Sequence, residues 1–147
     1  MDLLENKAKD AVNNFVYLVQ DDFYDGLIWH DVTEDLMETG DPNGRADDPP
    51  DGPGYSISED APGNPDAYVF GKVAFAPQGE NQASGSRFFV IVHDAQGALA
   101  GEPEPLPGDE EHTVFARVSK EFFEVLLDLV GAEGALYIES IEIGIAS

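Results

Sequence analysis

Apolar positions recur at helical spacing from Lys7 to about Gln20, where Ala8, Ala11, Val12, Phe15, Val16 and Val19 form one stripe. That pattern predicts an amphipathic helix, punctuated by Asp21-Asp22 and Asp25-Gly26. Leu27 to Val32 is short, apolar and rich in strand formers, and predicts a strand, with a second short one near Leu36-Met37. Tyr68–Phe70, Lys72–Ala76, Phe88–His93 and Thr113–Val118 predict further strands. A second helix is predicted from Lys120 to about Val130, with Phe122, Phe123, Leu126, Leu127 and Val130 on its face, Ser119 as N-cap and Gly131 as its stop. The end alternates through Leu136, Ile138, Ile141, Ile143 and Ile145, and the phase slips near Ser140, which predicts a bulge.

Between these elements lie breaker-rich stretches: Gly40 to Pro65, Pro77 to Ser86 and Gly97 to Glu111. Loops of that length in a small domain are more often functional than accidental. Two helices flanking about six strands predict a mainly β barrel capped by helices, built as a single domain over residues 1–147.

Composition narrows the chemistry. The chain has no cysteine, which excludes disulfides, thiolate metal sites and cysteine nucleophiles. No apolar run reaches the length of a membrane-spanning helix, and the first ten residues lack a signal-peptide pattern, so a soluble, cytoplasmic chain is expected. Lys plus Arg number 7 against 30 Asp plus Glu, for a net charge of −23. Such a field repels phosphate backbones and anionic lipids, so no nucleic-acid or membrane partner is expected. It matches a halophile's solubility strategy, in which salt screens the self-repulsion.

Isolated motifs name nothing. His30, His93 and His112 are too scattered for a local metal motif. Asp41 to Asp47 is calcium-loop-like only in outline, because Arg45 stands where an oxygen ligand belongs. Ser84 and Ser86 lack a nucleophile-elbow setting, and no lysine follows Gly79 or Gly85 to make a phosphate cradle. His30 and Asp31 are adjacent in a predicted strand and point to opposite faces, so they form no dyad with each other.

Five segments taken in order are more specific. KAKDAVNNFVYLVQDDFYDGLIWHDV at 7–32 resembles the helix-to-strand passage of the cyclophilins, peptidyl-prolyl cis-trans isomerases whose motif there reads APKTVENF…GYYDGxxFHRV. GDPNG at 40–44 and GPGY at 52–55 resemble the family's GDP-x-G…GPGY loop. GKVAFAP…ASGSRFFVIV resembles GxLxMAN…TNGSQFFI, and HTVFARV at 112–118 resembles HTVFGRV.

The resemblance implies a closed eight-stranded barrel with a helix at each end and a groove for proline-containing peptides or unfolded proteins, with no cofactor and no metal. It assigns the apolar proline pocket to Met37 (or Leu36) and Phe89, the alanine of MAN to Ala76, and the pocket histidines to His30 and His112.

The departures are as informative. The arginine of FHRV is Asp31, the following glutamine is Glu38 or Thr39, the asparagine of MAN is Pro77, and the glutamine of GSQFF is Arg87. The tryptophan expected before HTVF is absent, where Pro107-Gly108-Asp109-Glu110 stands. Met1 to Leu4 resembles the end of the family's second strand, so the first strand and most of the second are expected to be missing. One position has lost a guanidinium and another has gained one. The expected repair is an Asp31–Arg87 pair in which Arg87 serves as the relocated catalytic donor. The alternative is an impaired, cyclophilin-fold module that binds proline-containing peptides, and a third reading is an incomplete fragment.

Overall fold

A computed structural model of the chain describes residues 1–4, 8–42, 53, 55–58, 68–77, 82–106, 114–131 and 136–144. In chain order its elements are β1 (Asp2–Leu3), α1 (Lys9–Gln20), β2 (Asp31–Val32), β3 (Leu36–Thr39), β4 (Ser56–Ser58) and β5 (Lys72–Pro77). Then follow β6 (Gln82–Ile91), α2 (Ala95–Leu99), β7 (Val114–Arg117), a 3₁₀ turn (Lys120–Phe122) and α3 (Phe123–Val130).

The strands make one antiparallel sheet in the order β1-β7-β5-β6-β3-β2, with β4 also on β6. The mainly β architecture matches the sequence expectation. The expected closure differs: among the described residues the strand ladder ends at β1 and β2, each only two residues long. A recess of about 1320 Å³ lies beside β1, lined by Leu3, Val12, Val16, Ile141 and Ile143 among others.

Alternation in the strands sorts side chains onto two faces. The inner face carries Met37, Val73, Phe75, Phe88, Val90 and Phe115, which pack with the apolar stripe of α1. Phe15 is the hub, with ring centroids 5.6 Å from Tyr24, 5.6 Å from Phe88 and 5.1 Å from Phe115. Phe15 is 1% exposed, so Phe15→Ala removes a filled volume rather than a surface. Its expected cost is about 3–5 kcal/mol, read as a lower midpoint in urea at unchanged slope.

The local differences from the sequence reading have physical causes. Leu27 to Val32 is not one strand: Ile28 bridges Tyr137, and only Asp31–Val32 joins β3. That bridge is supported by Trp29 N–H to Leu136 O at 2.9 Å and Ile138 N–H to Leu27 O at 2.8 Å. Residues 139–144 form no strand, so the predicted bulge near Ser140 has no ladder to interrupt. Tyr68–Phe70 is turn rather than strand. Ser119 makes no side-chain cap, and the segment after it opens as a 3₁₀ turn before α3.

β6 starts at Gln82, well before the predicted Phe88, because backbone pairing needs no apolar side chains. There β4 and β5 both lie against it. β6 ends at Ile91, and Asp94, with a left-handed φ of 55°, turns the chain into α2. Backbone N–H groups of Glu104 and Gly97 hold the Asp94 carboxyl below the usual carboxylate range. Gly40 has φ of +99°, and a Cβ there would meet the Ser86 carbonyl oxygen at 2.3 Å, so that close approach of β3 to β6 requires glycine.

Candidate functional site

The outer face of the sheet carries a second apolar strip: Ala74 and Ala76 on β5, Phe89 and Ile91 on β6, and Val114 on β7, with Leu36, Tyr68 and Leu106 packed against it. The hairpin between β2 and β3 sets its upper end. The Thr33 hydroxyl accepts the backbone N–H groups of Asp35 and Leu36 at 3.2 and 3.1 Å, which fixes the turn. Register follows: Asp31 opposes Glu38 and Val32 opposes Met37.

That register decides between the paired alternatives. Met37 is 0% exposed on the inner face, so it belongs to the core; Leu36, its neighbour, is the one on the outer strip. Thr39 is buried inside and donates its hydroxyl to the Ile28 carbonyl at 2.7 Å. Glu38 is the polar side chain that reaches the outer face.

Arg87 meets it there. Its Nη1 donates to Glu38 Oε1 at 3.3 Å and its Nη2 to the Pro77 carbonyl at 3.4 Å. The expected Asp31–Arg87 pair does not form, because Glu38 occupies the guanidinium and Asp31 lies one strand further out. The Arg87 side chain is 11% exposed and its Nε is buried with no hydrogen-bond partner among the described residues. His30 joins the same group, with its side chain 1% exposed and its Nε2 3.7 Å from Glu38 Oε2. Both its ring nitrogens are buried without a hydrogen-bond partner among the described residues.

Ser84 and Ser86 are framework. The Ser84 hydroxyl accepts the backbone N–H of Arg87 at 2.9 Å, and the Ser86 hydroxyl donates to the Gly40 carbonyl at 2.8 Å. The Tyr24 hydroxyl donates to the Ser86 carbonyl at 2.9 Å, and burial pushes its phenol far above the ordinary range. Asn14 ties α1 to β6 through the Gly85 carbonyl at 2.7 Å and receives the Tyr55 hydroxyl. These bonds set the height at which Arg87 leaves the strand.

Of the sequence-predicted residues, Arg87, Glu38, His30, Leu36, Phe89 and Ala76 thus share one side of the sheet. Met37 does not. Asp31 sits at its edge, exposed and opposite Glu38. His112 and most of the Gly40–Pro65 stretch, including the calcium-like loop beyond Pro42, lie outside the described residues. The missed feature is Glu38 as the partner of Arg87. Its signal was the short turn at Thr33, which makes 31 and 38 opposite partners.

The chemical capacity of this face is plain: an apolar strip ending in a guanidinium that keeps donors to spare after meeting one carboxylate and one carbonyl.

Comparison with known proteins gives a consistent result. Residues 1–136 match the family described as cyclophilin type peptidyl-prolyl cis-trans isomerase. Peptidyl-prolyl cis-trans isomerase B of Bacillus subtilis is 35% identical over 119 residues, covering 80% of this chain and 73% of that protein. A peptidyl-prolyl cis-trans isomerase of Synechococcus elongatus is 39% identical over 102 residues, covering 69% of this chain and 66% of its own length. The crystal structure of a cyclophilin type isomerase of Cryptosporidium parvum superposes with a TM-score of 0.75 at 20% identity, covering 99% of this chain and 90% of that one. The same Cryptosporidium protein crystallised in the presence of the dipeptide Ala-Pro gives a TM-score of 0.65 at 21% identity, over 88% of this chain and 76% of that one.

Proposed function

The chain belongs to the cyclophilin type peptidyl-prolyl cis-trans isomerase family, and from that premise we propose that X–Pro bonds turn over on its outer face with Arg87 as hydrogen-bond donor. The observation that carries this placement is a guanidinium fixed by Glu38 at 3.3 Å beside the apolar strip of Leu36, Ala76 and Phe89.

The chemistry requires little else. The barrier to rotation about an amide is about 18–20 kcal/mol, because resonance holds the bond planar. When the bond twists, the nitrogen lone pair localises and the carbonyl is freed from conjugation. A catalyst gains rate only by stabilising that twisted state more than the planar one. Phe89 and Leu36 hold the ring and exclude water, and Arg87 supplies a fixed donor to the prolyl amide. A donor already aimed when the charge appears does not have to reorganise. Glu38 positions the guanidinium and does not itself touch the peptide. No nucleophile is needed, and no proton is transferred.

Substrates in this reading are proline-containing segments of peptides and unfolded proteins in a cytoplasmic setting. The charge of −23 disfavours nucleic acid and anionic membrane surfaces as partners. A second reading has its own support: Asp31 stands where the family resemblance places an arginine, so a module that binds without turnover is the competitor.

Exchange spectroscopy on an Ala-Pro peptide separates them without a coupling protease. The expected result is acceleration of cis-trans exchange at catalytic amounts of protein, at about 0.1 M or about 1 M KCl. Saturable binding with no acceleration at either salt would replace the isomerase by the binding module.

A further inference from the structure

We propose that Asp31 makes this site selective for substrates carrying a basic side chain beside the proline, an inference that rests on the placement of the site given above. β2 and β3 pair so that Asp31 stands directly opposite Glu38. Cross-strand partners share a face with Cβ atoms about 4.5–5.5 Å apart, and like charges so placed repel. Glu38 has its cation, Arg87, at 3.3 Å.

Asp31 has none. It is exposed, and among the described residues no cation pairs with it. Arg117 meets Asp2 at 3.6 Å on the opposite edge of the sheet, where Lys72 lies across from it. Lys9 and Lys120 sit on α1 and the 3₁₀ turn.

Glu38 has a second neighbour on its other oxygen. The His30 ring is turned toward Glu38, at 3.7 Å, with its side chain 1% exposed and both nitrogens lacking a hydrogen-bond partner among the described residues. An ammonium or guanidinium has only donors to give, and a carboxylate only acceptors. A Lys or Arg side chain adjoining the X–Pro bond therefore meets the unpaired Asp31 carboxylate and relieves its repulsion with Glu38. A glutamate in the same place would make a third carboxylate. Where the family resemblance places a cation, this chain presents an anion, and its preference for flanking charge follows that sign.

The test compares Ala-Lys-Pro-Phe, Ala-Ala-Pro-Phe and Ala-Glu-Pro-Phe by exchange spectroscopy for turnover and by calorimetric titration for binding. At about 0.1 M KCl the lysine peptide is expected to exceed the glutamate peptide by about five- to tenfold. That is the order of one exposed attraction combined with one exposed repulsion. Asp31→Asn should bring the lysine-to-glutamate ratio close to one. Glu121→Gln removes an acidic charge from the 3₁₀ turn, outside this hairpin, and should leave the ratio as it was.

Equal values for the three peptides would overturn the inference. So would a ratio lowered as much by Glu121→Gln as by Asp31→Asn, because selectivity would then belong to net charge alone. If none of the peptides is turned over, the isomerase reading fails. The binding ratio and its loss in Asp31→Asn then still decide the role of Asp31.

Discussion

Arg87→Gln is expected to lower kcat/KM for X–Pro isomerisation by about 10²–10³-fold, the usual cost of deleting one preorganised donor. Most of the loss should fall on kcat, because the guanidinium acts on the twisted amide and the apolar strip holds the ring in both states. Glutamine matches the family motif at this position, so the change is compatible with the strand. It removes the cation from a side chain that meets Glu38 at 3.3 Å. A stronger form of the test moves the donor back. In the Asp31→Arg, Arg87→Gln double variant, the guanidinium occupies the position that the family resemblance assigns to it, and activity should return. Full activity in Arg87→Gln alone would show that the donor lies elsewhere. If both variants are inactive yet fold normally by circular dichroism, relocation of the donor fails.

The melting temperature is expected to climb with KCl by on the order of 10 °C between 0.1 and 1 M. The screening length falls from about 10 Å to about 3 Å over that range. At a net charge of −23, a compact chain holds its carboxylates within reach of one another, while the unfolded chain spreads them. Relief of about 3 kcal/mol corresponds to roughly 6–12 °C for a domain of this size. Sodium chloride should act like potassium chloride, because screening depends on ionic strength. A flat melting temperature in both salts would show that repulsion does not limit stability and would remove the halophile reading.

The sequence made the packing legible where one side chain pattern answered one environment. The stripe Ala11, Val12, Phe15 and Val19 is buried in α1, and Lys72 to Ala76 runs within β5. It was silent where backbone bonds alone decide. Gln82 to Ser86 carries no large apolar side chain, yet it lies within β6, where Gln82 to Ser84 pair with β4 and Ala83 also pairs with β5. β4 lies within a stretch dominated by glycine and proline, where three residues carry no period. α2 is five residues held at its start by Asp94, too short for an apolar stripe to appear.

The site was legible as a set of residues and misread as a set of pairs. Arg87 stood out as a gained cation, but its partner depends on register, which one hydroxyl at Thr33 helps to fix. Choosing between Met37 and Leu36 needed the same register, because neighbours in a strand face opposite ways.

Along β6, Phe88 packs inward on Phe15 while Arg87 and Phe89 face the outer strip, so inheritance can act on the two faces separately. Point substitutions at alternate positions can rewrite the chemistry of the site, as glutamine to arginine illustrates, without disturbing the buried rings. Insertion or deletion of a single residue within the strand has no such freedom. It would carry the guanidinium into the core and a phenyl ring into the groove in one step. The lineage of this chain is therefore expected to vary by replacement within β6 and by length only in the loops beyond it.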